Sequence, residues 1–268
     1  MNFDDFTSIQ INNQEITELF LNDILIWKKE DEEEFFATFR GTQVVLGDIN
    51  TPIISSENPF ISFTDDTYIA DIDWEDGVIE SIDGSVKRTA HTYTDELDTH
   101  TISFSKKVEM IGVYCFIGCN NLISINIPSS VTSLGVYCFN GCTGLTDITI
   151  PSSVTSLGGY CFGGCSGLTD ITIPSSVTSL GGSCFRDCTG LTDITIPSSV
   201  TSLGNYCFNG CTNLIEYNLN WTTSDSIVTY NSSKMPNNTD TVFNIPYGTT
   251  DLYIAKNYPS DKLVENHM

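Results

Sequence analysis

The phrase IPSSVTSLG recurs from Ile127, Ile150, Ile173 and Ile196, and Pro128, Pro151, Pro174 and Pro197 mark the same period of 23 residues. This stretch decides the fold. A fixed period of this length with an L-x-x-I-x-I core predicts a stacked solenoid, because one unit cannot bury its apolar face without its neighbours. In Leu168-Thr-Asp170-Ile171-Thr172-Ile173 the apolar residues point inward and Asp170 and Thr172 outward, the alternation of a strand. Pro174 ends that strand, since it cannot donate to a ladder. Val177 and Leu180 then turn back into the core, and Gly181-Gly182 permits a tight bend. Cys184, Phe185 and Cys188 are expected to fill the interior from a short helical turn.

The ten cysteines form five C-F-x-x-C pairs: Cys115/Cys119, Cys138/Cys142, Cys161/Cys165, Cys184/Cys188 and Cys207/Cys211. A C-x-x-x-C spacing puts both sulfurs on one side of a turn, which suits buried thiols, disulfides or a metal. Four-ligand sites draw pairs from two facing places, whereas these pairs stack in parallel beside Phe. Structural buried thiols are the reading adopted, with no metal and no cofactor.

These residues resemble the leucine-rich repeats of the BspA-like family, whose units read like IPxSVTSIGxxAFxxCxxLTxITIP. Cys138, Cys161, Cys184 and Cys207 stand where the family has Ala before Phe. The resemblance covers roughly residues 102–219. It implies a right-handed leucine-rich solenoid with a parallel sheet along one face. It also implies a surface protein of bacterial, protozoan or viral origin that binds other macromolecules without catalytic residues.

The expected fold is mainly β in four parts: an N-terminal β anchor and acidic tether over 1–34, an immunoglobulin-like sandwich over 35–104, the solenoid over 105–219 and a C-terminal cap over 220–268. Shifting back one period puts Ile102 and Phe104 where Ile125 and Ile127 sit. The first coil is therefore expected to use residues that also end the sandwich, in a rigid junction. Behind Leu219 the repeat decays, and Phe243-Asn-Ile245-Pro246, Gly248 and Tyr253 look like the closing segment of BspA-like arrays. A cap is expected because an open last coil would expose core and strand edge.

Residues 35–104 read as short strands (ATFRG, QVVLGD, PFISFTDD, YIADIDW, THTISF) between turns. Trp74-Glu-Asp-Gly77, His91-Thr-Tyr93 and His100-Thr-Ile-Ser-Phe104 resemble phrases of PKD domains, immunoglobulin-like spacers of extracellular proteins. Asp71, Asp73, Glu75 and Asp76 form an oxygen-rich cluster, a weak calcium candidate whose spacing is not that of an EF-hand.

At the start, Ile9, Ile11, Ile16, Leu19, Leu21, Ile24, Ile26 and Trp27 make a small β unit with Asn12-Asn13 and Asn22-Asp23 as turns. It is too small to hold a core alone. The phrase resembles N-terminal modules of virion proteins of phages infecting gut bacteria, which makes these residues candidate particle anchors. The run Glu30-Asp31-Glu32-Glu33-Glu34 reads as a tether or as a solvated strand end.

Composition narrows the function. A net charge of −23, with 11 Lys and Arg against 34 Asp and Glu, speaks against nucleic acid. No apolar run is long enough for membrane insertion. Acids where a secretory signal carries Lys or Arg make Met1 read as the mature end. Three His, and no Ser/His/Asp set, Walker loop or dinucleotide fingerprint, lean against an enzyme. Asp147, Asp170 and Asp193 occupy one outward strand position, with Thr149, Thr172 and Thr195 beside them, so they are expected to stack about 4.8 Å apart. A solvated face, a partner-binding face and a carboxylate pair for glycoside hydrolysis all fit such a column. Binding is preferred to hydrolysis because a flat ladder has no cleft.

The resulting expectation is a non-enzymatic structural or recognition protein. The favoured setting is a phage virion (tail, fibre or capsid decoration) assembled in the host cytoplasm. There residues 1–34 would bind other virion subunits and the solenoid a host-surface glycan or protein, with self-association left open. The alternative is a bacterial cell-surface adhesin.

Overall fold

The computed structural model describes residues 111–223, 227–235 and 240–266 in full and, ahead of them, the backbone of the strands between residues 9 and 110. Residues Met1–Glu33 form a compact unit of their own. In it Ile9–Ile11 pairs antiparallel with Gln14–Ile16, and Glu18–Leu21 with Ile24–Lys28. The expected turn residues Asn12, Asn13, Asn22 and Asp23 lie outside the described residues.

The rest of the chain, Glu34–Met268, is a second unit. It is mainly β, and its described helical segments are Thr250–Ala255 and the short Ser260–Lys262. No described helix is long and apolar enough to cross a membrane. From Ile111 the chain winds in coils that add the same side chain to the same interior column. Phe116, Phe139, Phe162, Phe185 and Phe208 are buried and stacked, with ring centroids 5.3 to 5.5 Å apart. Val and Leu columns close around them: Val154, Val177, Leu145 and Leu168 are all 0% exposed. Such a core is the hydrophobic stabilisation of the array, and no single coil could supply it.

Two ladders hold the coil spacing. Ser133-Leu134, Ser156-Leu157, Ser179-Leu180 and Ser202-Leu203 pair in parallel from coil to coil. At the cysteine turn, the Phe139 N–H donates to the Cys161 carbonyl and the Phe162 N–H to the Cys184 carbonyl, both at 2.8 Å. The L-x-x-I-x-I face expected to carry the sheet forms strands at Leu122–Asn126, Asp193–Ile196 and Glu216–Leu219. Residues 145–150 and 168–173 keep the inward–outward alternation there without strand pairing, apart from an Asn126–Thr149 bridge. That face follows a spacing fixed elsewhere.

The cysteine segment is a turn rather than a helical turn. Its bonds run three residues back, as from Cys165 N–H to the Phe162 carbonyl at 3.1 Å. Residues in left-handed conformation bracket it: Tyr160 at φ 54° before Cys161, and Gly164 at φ 73° before Cys165. A left-handed residue stops helix propagation. The glycine that follows each Leu of the Ser-Leu ladder serves close approach: a Cβ on Gly158 would lie 2.6 Å from the Gly135 carbonyl carbon of the preceding coil. This replaces the tight-bend reason expected for that position.

The junction differs from the expected first coil. Thr99–Phe104 does not lie beside Leu122–Asn126. The strand Phe35–Arg40 is inserted between them, antiparallel to both. Ala37 pairs with Ile102 on one side and with Ile125 on the other, and Phe36 with Ser103 and Asn126. The repeat frame is thus kept across an interposed strand. Ala70–Asp73 and Ile79–Ile82 extend this sheet, whose order puts Leu122–Asn126 at one edge. On the second ladder Val108–Ile111 pairs in parallel with Ser133-Leu134, and Ile61–Phe63 covers its other side antiparallel. Gln43–Leu46 pairs with Thr89–Thr92.

At the far end Glu216–Leu219, Val242–Pro246 and Leu263–Asn266 continue the sheet in parallel. Trp221 is 0% exposed and its indole N–H donates to the Val200 carbonyl at 2.7 Å. The Tyr253 hydroxyl reaches the Trp221 carbonyl at 3.0 Å, and that of Tyr258 the Val228 carbonyl at 3.1 Å. Buried phenols and indole thus satisfy carbonyls that have lost their next coil, as capping requires.

Candidate recognition surface

Along the L-x-x-I-x-I face, Ile148, Ile171 and Ile194 are buried while Asp147, Thr149, Asp170, Thr172, Asp193 and Thr195 are exposed. Alternation on a rigid core therefore projects two polar columns into solvent. The pairing of Asp193 with Glu216, also exposed, adds a fourth carboxylate to the acidic column. Sequence reading missed Glu216 because Ile215-Glu216-Tyr217 no longer spells the repeat; register alone reveals it. The Thr192 hydroxyl donates to Asp193 at 3.1 Å. A cavity of about 420 Å³ lies at the head of this face, lined by Asn120, Asn121, Ile123, Gly144 and Thr146.

All ten cysteines are free and buried. They are more than small apolar fillers. From the second coil on, the second thiol donates to the carbonyl of the Phe one coil earlier: Cys142 to Phe116 at 3.0 Å, Cys165 to Phe139 at 3.1 Å, Cys188 to Phe162 at 3.0 Å and Cys211 to Phe185 at 2.9 Å. Each bond ties two coils together in a dry interior, where a weak donor gains strength. Burial pushes the Cys119 thiol up to about 12. It raises Cys138 to about 11, even though a hydrogen bond with Cys161 pulls the other way. Protonated thiols away from solvent are poor nucleophiles and poor ligands. Among the described residues no group of three or more His, Cys, Asp or Glu side chains is placed to hold a metal ion.

The residue before the first cysteine of each coil forms a further outer column that sequence reading missed. Tyr114, Tyr137 and Tyr160 stack with centroids 5.2 and 4.7 Å apart. Ser183 follows, buried at 3%, and then Tyr206, exposed at 52%. All five residues are left-handed, with φ between 54° and 64°. The spacing is visible in the sequence, but nothing local announces a bulky aromatic in that conformation. Arg186 donates to the Tyr160 hydroxyl at 3.4 Å and lies 3.3 Å from Asp187, within ion-pair distance without hydrogen-bond alignment. The Ser183 hydroxyl, followed by the Arg186 guanidinium, hydrogen-bonds the Tyr160 phenol and holds its pKa below the ordinary 10.0.

The candidate anchors Ile9, Ile11, Ile16, Leu19, Leu21, Ile24, Ile26 and Trp27 fall on the four strands of the N-terminal unit, with their side chains outside the described residues. In the calcium candidate, Asp71 and Asp73 are on the strand Ala70–Asp73, described in backbone only, and Glu75 and Asp76 lie outside the described residues.

A coil that repeats one buried set of Leu, Ile, Val, Phe and Cys, closed by an aromatic cap and bearing regular exposed columns, defines a leucine-rich repeat solenoid. The chain belongs to the BspA-type leucine-rich repeat family, whose repeat region matches in six copies over residues 86–235. Among solved structures it is similar to a leucine-rich repeat protein of Treponema pallidum, at 31% identity over 43% of this chain and 54% of that one, with a TM-score of 0.42. A leucine-rich cell surface protein of Faecalibacterium prausnitzii matches at 35% identity over 45% of this chain and 32% of that one, with a TM-score of 0.43. A leucine-rich repeat protein of Bacteroides ovatus matches at 25% identity over 63% and 50% of the two chains, with a TM-score of 0.40. The chain spans about half of these structures or less. No curated protein matches it.

Proposed function

We propose that this protein is a non-catalytic recognition protein displayed at a bacterial cell surface, with its solenoid presented to a host or matrix macromolecule. The observation that carries this reading is the set of exposed columns held in register on a core that is buried coil after coil. Repetition of an outward side chain at a fixed spacing makes an extended surface for a large partner, not a cleft for a small substrate. Family membership supports the same role, since the BspA-like resemblance implies macromolecular binding. The PKD-like reading of residues 35–104 would make that segment a spacer that holds the solenoid away from its support.

The test is binding of the full chain to immobilised matrix proteins and surface glycans, comparing the native chain with Asp147→Asn/Asp170→Asn/Asp193→Asn. Saturable binding to any of these is expected, with a loss in the triple variant if the acidic column takes part. Absence of saturable binding to all of them overturns the reading.

A second setting is favoured by one observation: the first 33 residues form a separate unit of two hairpins. In that version the unit is an anchor on a phage particle. Peptide mass spectrometry on density-purified particles and washed cell envelopes from the source culture separates the two. Peptides spanning Trp27–Arg40 are expected in the envelope, and their enrichment at constant stoichiometry in particles alone would move the protein to the virion.

A further inference from the structure

The Cys184 coil departs from the other four at three positions of one turn. It has Ser183 where they have Tyr114, Tyr137, Tyr160 and Tyr206, and Asp187 where they have Gly118, Gly141, Gly164 and Gly210. Between these stands Arg186, the sole Lys or Arg between Lys107 and Lys234. Asp187 adopts φ 59°, the left-handed backbone for which every other coil uses glycine. Strain kept in one copy of a repeat and avoided in the rest points to a role other than stability.

The three changes act together. The Asp187 carboxylate lies over Gly210, where a Cβ would strike it. Its other oxygen is 3.3 Å from Arg186 Nε, and the guanidinium reaches back to the Tyr160 hydroxyl. Backbone bonds of 2.8 Å from Ser183 to Asn205 and from Asp187 to Asn209 bind this turn to the next, which carries Tyr206. Ser183 stands where a ring would stack on Tyr206, and that phenol is left 52% exposed. Tyr137 spends both ring faces on Tyr114 and Tyr160, and each of these spends one face on Tyr137.

An unstacked phenol offers a flat apolar face, and the ion pair on the turn one coil earlier offers acceptors and donors for hydroxyl groups. That combination suits a pyranose, whose C–H face and hydroxyl edge need both. Asp187 balances Arg186, so the turn has no net positive charge for a sulfate or carboxylate, and the chain's −23 repels anionic glycans. We propose that the Cys184 and Cys207 turns form a glycan subsite: a neutral hexopyranose stacks on Tyr206 and hydrogen-bonds the Asp187 carboxylate and the Arg186 guanidinium. This inference rests on the recognition role proposed above and names its ligand.

The test uses the full chain against immobilised matrix proteins and a panel of neutral oligosaccharides of glucose, galactose, mannose and N-acetylhexosamines, with sialylated and sulfated counterparts, followed by calorimetry on the best binder. Tyr206→Ala and Asp187→Gly are each expected to weaken binding roughly tenfold, the effect of removing an anchor. Asp187→Gly restores the residue of the other coils and should leave the melting temperature equal or higher, so its loss of affinity cannot be ascribed to misfolding. Neutral glycan binding that both variants retain overturns the subsite and leaves the recognition role standing. Binding to matrix protein but to no neutral glycan does the same. Binding to none of the probes overturns both.

Discussion

The inner and outer columns of the solenoid obey different rules. Inside, Cys, Phe, Leu, Val and Ile recur from coil to coil because each residue is the packing partner of its own copy, as Phe139 is between Phe116 and Phe162. A change of one side chain there leaves a void in two interfaces. Outside, the turn reads Tyr, Tyr, Tyr, Ser, Tyr and then Gly, Gly, Gly, Asp, Gly. Only nearest-neighbour contacts and solvent constrain it. The repetition of the sequence is therefore a property of the core, and the surface is where it lapses.

The largest expected effect is collective and alkaline. In the unfolded chain thiols lose their protons at about pH 8.5. In the folded core Cys138 holds its proton to about 11 and Cys119 to about 12. Across that window the unfolded chain binds fewer protons, so stability falls as pH rises, by about 1.4 kcal/mol per pH unit for each such thiol. Below the unfolded value the contribution is complete and flat. Denaturant melts between pH 7 and 10 should show a plateau and then a steep decline, with thiolate absorbance rising only upon unfolding. Thiolate signal in the native fold at pH 9 would mean that the inner column is open to solvent.

Phe162→Ala comes next. The ring is 0% exposed and stacked on both sides, and its removal should cost about 3–5 kcal/mol in chemical denaturation. Gly158→Ala tests the other limit of packing. With a Cβ 2.6 Å from the Gly135 carbonyl carbon, neither backbone can yield cheaply, and a loss of about 1–3 kcal/mol is expected. A neutral result at either position would show that the coils slide more freely than the columns suggest.

Much of this inner order was legible in the sequence. The period, the inward residues and the outward Asp and Thr positions follow from spacing and alternation, which are local, whereas the closing residues Phe243, Ile245 and Tyr253 are read from the BspA-like resemblance. The insertion of Phe35–Arg40 between Thr99–Phe104 and Leu122–Asn126 was not legible. Nothing in FFATFR names its partners, and the register of Ala37 with both Ile102 and Ile125 is a long-range choice. The thiol donors were hidden for a similar reason, since the acceptor of Cys165 is the Phe139 carbonyl of another coil. The tyrosine column went unread because a left-handed aromatic is sterically uncommon and has no sequence signature.

The smallest effect discriminates within the outer column itself. Tyr137 is stacked on Tyr114 and Tyr160, so Tyr137→Ala should cost about 1 kcal/mol through lost ring contacts. Tyr206 has Ser183 in place of a stacking neighbour, and Tyr206→Ala should change stability by no more than about 0.5 kcal/mol. Thermal melts of the two variants side by side check this. An equal cost at both positions would mean that the column is structural throughout and that Tyr206 belongs with the core. A cost at Tyr137 alone would separate a side chain that holds the array together from one the array merely displays. Only a residue of the second kind is free to serve a ligand without endangering the fold.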